Sequence, residues 1–178
     1  MIDTITPSSS LQEMVTQEGI SVYDLSNKFP ILLVFLRHFG CTFCREALSD
    51  IAEKRQEIEA TGTKIVFVHM ADNKLAERYF NRYNLAGIDH VSDSICHFYT
   101  AFGLTKGNFN QLFGLKTWIR GFNAGVVNHN WAGPQLGDGF QMPGIFVIQE
   151  GKIRSSFIHK FISDRPDYEE LVKCCAMD

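Results

Sequence analysis

The chain has 178 residues, enough for one compact domain with a sizeable core, and its 45% hydrophobic content is ordinary for a globular protein. It carries 17 basic and 20 acidic residues, a net charge of -3, and no lysine and arginine cluster that could follow a phosphate backbone, which argues against nucleic acid as a partner. Residues 1–10 lack the positive flank and apolar core of a signal peptide, so we expect a cytoplasmic protein with no membrane partner.

Strand and helix patterns alternate along the chain after an N-terminal extension, residues 1–19, and within a single domain, residues 20–178. The predicted strands are Ile20–Leu25, Ile31–Arg37, Lys64–Met70, a brief extended piece from Val91, Ile145–Ile148 and Ile153–Ile158, the last two joined at Glu150-Gly151. The predicted helices are Cys41–Ala60, a segment capped by Asp72 and ending at Tyr83, Ser94–Phe102, about Asn110–Gly121, and Asp167–Cys175. This order predicts an α/β fold around a mixed or mostly parallel sheet.

Cys41 and Cys44 lie three residues apart, directly after the apolar run Ile31–Leu36 and at the start of an amphipathic segment. Two thiols between a buried strand and a helix are typical of a redox dithiol. The unpaired N–H groups and the positive dipole end of a helix N-terminus favour a thiolate, and in such motifs the cysteine pKa falls from about 8.5 toward about 3.5 to 7.5. We therefore predict that Cys41, the more exposed sulfur, is the nucleophile and that Cys44 resolves.

Half of a zinc site is the main alternative for this pair of cysteines. Zinc needs about four ligands, usually from two such pairs. Cys174 and Cys175 are adjacent rather than spaced, and the sequence has no pair of histidines at zinc-ligand spacing. The redox interpretation is therefore favoured.

Three charged or titratable side chains flank the dithiol. Arg37 and Arg45 can lower the pKa of a thiolate by their positive charge, or they can be solvated or paired with Glu46 or Glu53. His38 can act as an acid or base beside Cys41, or it can serve as a packing residue. The sequence leaves these alternatives open.

The other cysteines and the tryptophans have less specific interpretations. Cys96 lies among apolar residues and is expected to be buried and inert. Cys174 and Cys175 end the last predicted helix, where an intermolecular or regulatory disulfide is the functional alternative. Trp118 and Trp131 are expected to pack over the sheet, with a substrate-groove role for Trp131 as the alternative.

The order of elements, with Met142-Pro143-Gly144 directly before the hydrophobic hairpin, resembles the thioredoxin fold. The segments Phe35–Glu46 and Gln141–Ile148 are similar to the peroxiredoxin-like branch of the AhpC/TSA group, which includes the prostamide/prostaglandin F synthase type. The resemblance covers about Ile20 to Cys175. It implies a thioredoxin-like fold, in which helices flank a central mixed sheet and an insertion precedes the last hairpin. It also implies that Pro143, at the start of that hairpin, follows a cis peptide bond and lies beside the dithiol.

The chain departs from peroxiredoxins at two positions. That family places Thr or Ser three residues before the peroxide-reactive cysteine, where this chain has His38, and an arginine where this chain has Pro143. Both missing groups would polarise the peroxide O–O bond, whereas thiol–disulfide exchange requires neither. The resemblance therefore favours disulfide chemistry over efficient peroxidase chemistry.

These observations predict a thiol-dependent oxidoreductase of cell redox homeostasis that reduces a disulfide or peroxide-type bond. The predicted site residues are Cys41, Cys44, Pro143, Arg45 and Arg37. Thioredoxin or another dithiol would restore the thiols, and no metal, flavin or nicotinamide is expected because no Gly-rich phosphate loop follows a strand. The alternatives are an antioxidant thiol peroxidase that uses Arg37 or Arg45 in place of the missing arginine, and a non-catalytic redox-sensing or interaction module. The oligomeric state is open, with a homodimer as one candidate.

Overall fold

The structure, a computed structural model, describes residues 7–108 and 138–175. Within these ranges one mixed sheet is formed by the strands β1 Ile31–Phe35, β2 Lys64–His69, β3 Asp89–Ser92, β4 Gly144–Gln149 and β5 Lys152–Ile158. The strand order is β3-β2-β1-β4-β5. The β1, β2 and β3 strands pair in parallel, whereas β4 is antiparallel to both β1 and β5. The sheet confirms the predicted α/β architecture.

The described helices are α1 Pro7–Glu13, α2 Val22–Ser26, α3 Thr42–Ala60, α4 Asn73–Arg82, α5 His97–Ala101 and α6 Tyr168–Lys173. Asp72 caps α4 as predicted, because its carboxylate accepts the Leu75 N–H over 2.9 Å. None of the described helices combines the length and the apolar character needed to cross a membrane. The predicted helix at 110–121, Trp118 and Trp131 lie outside the described residues.

The sheet separates two hydrophobic cores, because successive side chains of a strand point to opposite faces. Leu32 and Val34 of β1 face the core that contains buried residues of α3, α4 and α6. Ile31, Leu33 and Phe35 face the core that contains buried residues of α1, α2 and α5. Helices therefore cover both faces of β1, which explains why its sequence is continuously apolar.

The division into an N-terminal extension, residues 1–19, and a domain, residues 20–178, stays a prediction.

Two short segments differ from the prediction. Residues 22–26 form a helix and not a strand, because the Ser21 hydroxyl accepts the Asp24 N–H over 3.0 Å and caps a helical turn. The predicted helix from Ser94 is shorter and begins at His97, where the buried Asp93 carboxylate accepts the His97 N–H over 2.9 Å. Ile95 therefore lies before the helix and is 83% exposed.

The approach to β4 also differs from the prediction, since the Met142–Pro143 bond is trans and not cis. Local hydrogen bonds hold this segment. The Met142 N–H donates to the Thr105 carbonyl over 3.3 Å, and the buried Gln141 amide donates to the Leu104 and Met142 carbonyls over 2.7 and 3.3 Å. The Met142 backbone is therefore already bonded within the chain.

The β4–β5 hairpin follows the prediction. Its two turn residues, Glu150 and Gly151, have φ values of 52° and 69°. Two consecutive left-handed residues match the right-handed twist of paired strands. At Gly151 a Cβ atom would also lie only 2.6 Å from the Tyr23 ring, so glycine is required there for two reasons.

Candidate active site

The dithiol lies where β1 leads into α3. Cys41 is the N-cap of α3, and its N–H donates to the His38 carbonyl over 3.0 Å. Its own carbonyl accepts the Arg45 N–H over 3.1 Å, which closes the first helical bond. Cys44 then occupies the third helical position, in the same first turn. This geometry confirms the predicted placement of the two cysteines at a strand-to-helix junction.

The surroundings shift the pKa values of the two thiols in opposite directions. A hydrogen bond from the Cys44 thiol is the largest cause that lowers the pKa of Cys41, to about 6. Burial opposes this effect, while the Arg37 charge and the backbone N–H groups of Cys44 and Phe43 add to it. Burial first, and the bond to Cys41 second, raise the pKa of Cys44 well above its ordinary value. Both pKa shifts favour the thiolate at Cys41 and the thiol at Cys44.

Arg37 is in direct contact with Cys41. Its Nη1 donates to the Cys41 Sγ over 3.4 Å, and its Nε donates to the Gly139 carbonyl over 2.7 Å. The Nη2 atom donates to the same carbonyl. The side chain is only 7% exposed, so its charge acts on the sulfur with little screening by solvent. Gly139 thus orients the arginine toward Cys41.

Arg45 performs a different task. Its Nε donates to the Phe39 carbonyl over 2.8 Å, and its guanidinium carbon lies 5.6 Å from the centroid of the Tyr79 ring. The Phe39 and Tyr79 rings stack with their centroids 4.7 Å apart. These contacts hold the loop that precedes Cys41 against α4. The structure therefore brings Arg37, and not Arg45, into hydrogen-bond contact with the Cys41 sulfur.

His38 is buried on the other side of the same loop, with 7% of its surface exposed. Burial, followed by the charges of Arg37 and Arg45, lowers the pKa of His38 to about 4. Its imidazole is therefore neutral at physiological pH. The Nδ1 atom has no hydrogen-bond partner in the described part of the chain, and the backbone carbonyl is the group that bonds Cys41.

Both cysteines open into one narrow pocket of about 30 Å³. Four of the five predicted site residues line this pocket: Arg37, Cys41, Cys44 and Pro143. Both sulfurs are buried, with Cys41 6% and Cys44 4% exposed, so Cys41 is the slightly more exposed of the two, as predicted. The loop before α3 and the residues after β5 cover the two sulfurs.

Side chains that the sequence did not indicate for the site also line this pocket, among them Asp50, His159 and Arg165. Arg165 joins the segment after β5 to α3, through Glu46 over 3.2 Å and through Asp50 over 3.1 Å. Asp50 and Arg165 are 115 positions apart, so no local pattern links them. Burial lowers the pKa of His159 to about 4, which leaves its imidazole neutral.

The remaining cysteines lie away from this pocket. The Cys96 thiol donates to the Met70 sulfur over 3.3 Å, and burial raises the pKa of Cys96. Cys174 is exposed and Cys175 is buried. All five cysteines of the chain are thiols in this structure. Within the described ranges, no group of three or more His, Cys, Asp or Glu side chains is placed to hold a metal ion.

Two relatives align with nearly the whole chain. Thioredoxin-like protein AAED1, chloroplastic, from Arabidopsis thaliana is 27% identical over 170 residues, which cover 88% of this chain and 66% of the relative. The chain thus spans slightly less than two thirds of that protein. A prostamide/prostaglandin F synthase from Danio rerio is 23% identical over 170 residues, which cover 93% of this chain and 84% of the relative.

Solved structures share the fold. The yeast mitochondrial 1-Cys peroxiredoxin, whose structure addresses thiol resolution through glutathione and thioredoxin systems, superposes with a TM-score of 0.61 at 14% identity, over 91% of this chain and 70% of that chain. The likeness confirms the thioredoxin-like fold. The AhpC/TSA antioxidant enzyme profile matches residues 50–160, which lie after the dithiol and make up more than half of the sequence. By this match, the chain belongs to the AhpC/TSA antioxidant enzyme family.

Proposed function

We propose that this protein is a thiol-dependent oxidoreductase that reduces disulfide bonds, with Cys41 as the attacking thiolate and Cys44 as the resolving thiol. The observation that carries the proposal is the position of Cys41, which is the N-cap of α3, lies 3.4 Å from Arg37 and shares a helical turn with Cys44. The opposite shifts of the two pKa values agree with this geometry. The thiolate is the reactive form of cysteine. The thiol form of Cys44 keeps it from competing with Cys41 for substrate.

The reaction has two exchange steps. The Cys41 thiolate attacks one sulfur of the substrate disulfide, so that a new S–S bond forms, the substrate S–S bond breaks, and one substrate thiolate leaves and takes up a proton. Cys44 then loses its proton and attacks the Cys41 sulfur, which releases the second substrate thiolate. The chain ends as a Cys41–Cys44 disulfide, oxidised by two electrons. An external dithiol returns it to the thiols.

Arg37 and Pro143 complete the proposed site. The Arg37 contact with the Cys41 sulfur, 3.4 Å long, stabilises the thiolate before attack and in the leaving step. Pro143 forms part of the pocket wall through which the substrate must reach that sulfur. Because the pocket is narrow, a slender or protruding disulfide is favoured over a bulky one. Arg45 is proposed to act only by positioning the loop.

The proposed function includes a reductant and a location in the cell. Thioredoxin or another small dithiol protein is the proposed reductant, a role consistent with the glutathione and thioredoxin systems studied for the yeast structural neighbour. A cytoplasmic location and a homodimer stay hypotheses. The chain itself is proposed to work without a metal, flavin or nicotinamide.

Thiol peroxidase activity is the second candidate function, and Arg37 is the observation that favours it. A guanidinium that contacts the nucleophilic sulfur is also within reach of a peroxide oxygen bound there. Against it, this chain has His38 where peroxiredoxins have a hydroxyl donor, and Pro143 where they have an arginine. Losing one preorganised donor typically costs on the order of 100-fold to 1000-fold in rate. We therefore expect slow reduction of hydrogen peroxide.

A trapping experiment tests the roles of the two cysteines. The Cys44→Ser variant, mixed with a small disulfide, is expected to accumulate a mixed disulfide at Cys41. The Cys41→Ser variant is expected to form no mixed disulfide at Cys44. Peptide-resolved mass spectrometry locates the adduct, and Cys96→Ser serves as the matched cysteine control. Trapping at Cys44 in the Cys41→Ser protein, without trapping in the Cys44→Ser protein, would reverse the roles.

A turnover assay distinguishes the function classes. Consumption of NADPH through thioredoxin and its reductase is followed with a small disulfide, hydrogen peroxide or a prostaglandin-type substrate as oxidant. Sustained turnover with the disulfide supports the proposed enzyme. Sustained turnover with peroxide alone supports the peroxidase. One stoichiometric oxidation that is not followed by turnover would indicate a redox sensor.

A further inference from the structure

A second pair of thiols lies at the end of α6, outside the dithiol pocket. Cys174 is the C-cap of this helix and Cys175 follows it, with the two Sγ atoms 3.5 Å apart. Cys174 is exposed, and its thiol donates to the Leu171 carbonyl over 3.2 Å. Cys175 is 7% exposed and belongs to the core that contains α3 and α6. Neither residue lines the pocket of Cys41 and Cys44.

Adjacent cysteines are poorly placed for a direct disulfide. Their Cα atoms are about 3.8 Å apart across a trans peptide, whereas a disulfide usually joins Cα atoms about 4.4 to 6.8 Å apart. One atom bonded to both sulfurs meets no such obstacle. Two bonds of about 2.3 Å at a tetrahedral angle, as for zinc and thiolates, span about 3.8 Å. The observed 3.5 Å separation is therefore close to what a bridging atom requires.

The number of ligands narrows the identity of the bridging atom. A tetrahedral metal ion needs about four ligands, yet no group of three or more His, Cys, Asp or Glu side chains is arranged for a metal among residues 7–108 and 138–175. A trivalent arsenic atom that carries one carbon substituent needs only two sulfurs to complete its three bonds. Cys174 and Cys175 supply that number, and one of them is open to solvent.

We infer that Cys174 and Cys175 form a binding site for monosubstituted trivalent arsenicals, separate from the redox dithiol. The exposed Cys174 reacts first, and Cys175 then closes the ring. For an arsenical with two hydroxyl groups, two As–S bonds form and two As–O bonds break. The two thiol protons leave with the hydroxyls as two water molecules, and arsenic stays trivalent. This inference goes beyond the proposed function and does not depend on it.

Phenylarsine oxide is the probe for the test. The full chain with Cys41→Ser and Cys44→Ser removes the first dithiol, and intact-mass spectrometry under native conditions is expected to show one phenylarsenic group per chain. Adding Cys174→Ser to the double variant should lower the apparent affinity by about 100-fold or more, because a chelating pair becomes a single thiol. Adding Cys96→Ser instead should change nothing.

Two results would contradict the arsenical site. No adduct on the double variant would overturn the inference, and so would an adduct that keeps its affinity after Cys174→Ser. Because Cys175 is buried, Cys175→Ser is used only where circular dichroism shows a native fold. The affinity of the Cys174→Ser variant decides the test. Failure of the proposed disulfide reduction would appear in the turnover assay and would leave this binding result unaffected.

Discussion

The Nη1 atom of Arg37 lies 3.4 Å from the Sγ atom of Cys41, and it donates a hydrogen bond to that sulfur. Replacing the guanidinium, as in Arg37→Gln, is expected to raise the pKa of Cys41, because a buried positive charge no longer stabilises the thiolate. Alkylation of Cys41 by iodoacetamide at pH 6.5 should slow by about threefold if the pKa rises by one unit from about 6, the shift that an opposite charge at this distance typically produces.

Peptide-resolved mass spectrometry measures the Arg37→Gln effect at Cys41 alone. Arg154→Gln is the matched control, because Arg154 forms an exposed ion pair with Glu150 far along the hairpin. The difference between Arg37→Gln and the unmodified protein should disappear near pH 10, where Cys41 is ionised in both proteins. An unchanged rate at pH 6.5 would mean that Arg37 has no influence on the thiolate.

The pH dependence of the unmodified protein follows from the lowered pKa of Cys41. Since the thiolate is the reactive form and is lost on protonation, the alkylation rate should rise through about pH 6 and level off above pH 7. Cys44 should stay unreactive over this range because burial raises its pKa. The measurement is a pH series of Cys41 alkylation, and an inflection at pH 8.5 or higher contradicts the assignment.

The hydrogen bond between the two thiols is tested by a pair of substitutions at one position. Serine at position 44, in Cys44→Ser, keeps a donor for the Cys41 thiolate, whereas Cys44→Ala removes it. The pKa of Cys41 should therefore be higher in Cys44→Ala than in Cys44→Ser, because this bond is the largest cause of its lowering. Thiolate absorbance at 240 nm against pH compares the variants. Equal values would show that burial and Arg37 decide the pKa.

The start of β4 has no room for a side chain. A Cβ atom at Gly144 would lie 2.5 Å from the Leu104 Cδ2 atom, so Gly144→Ala is expected to destabilise the protein by about 1 to 3 kcal/mol through overpacking. Leu104→Ala alone should cost about 2 to 5 kcal/mol. In the double variant the cost of alanine at position 144 should largely vanish. Urea unfolding of the four proteins measures this coupling, and strict additivity would exclude the contact as the cause.

The Arg165 link between α3 and the segment after β5 is expected to contribute to stability. Its Nη1 atom lies 3.2 Å from a Glu46 carboxylate whose side chain is 4% exposed. Arg165→Gln should cost about 1.5 to 3 kcal/mol, the typical worth of hydrogen bonds to charged groups. Arg55→Gln breaks an exposed pair with Glu59 and should cost less than about 1 kcal/mol. Equal free energies of unfolding for the two variants would contradict this ranking.

Several elements were predictable from the sequence because their causes are local. The continuous apolar run of β1 predicts a strand covered on both faces, and the adjoining Cys41 and Cys44 mark the start of α3. Asp72 caps α4 from the position next to it. Glu150 and Gly151 form the hairpin turn through their own backbone conformations. In each case the interacting groups lie within a few residues of one another.

Other features of the site required the tertiary structure, because the groups that decide them are far apart in the sequence. Arg37 and Arg45 look equivalent beside the dithiol, but the Gly139 carbonyl, 102 positions away, orients only Arg37 toward the sulfur. The trans bond before Pro143 follows a segment held by hydrogen bonds to residues 104 and 105. Likewise, the burial of Cys41 depends on elements folded over the end of β1. Sequence patterns report local propensities, whereas hydrogen bonding, burial and charge at the nucleophile depend on which distant groups the fold brings into contact.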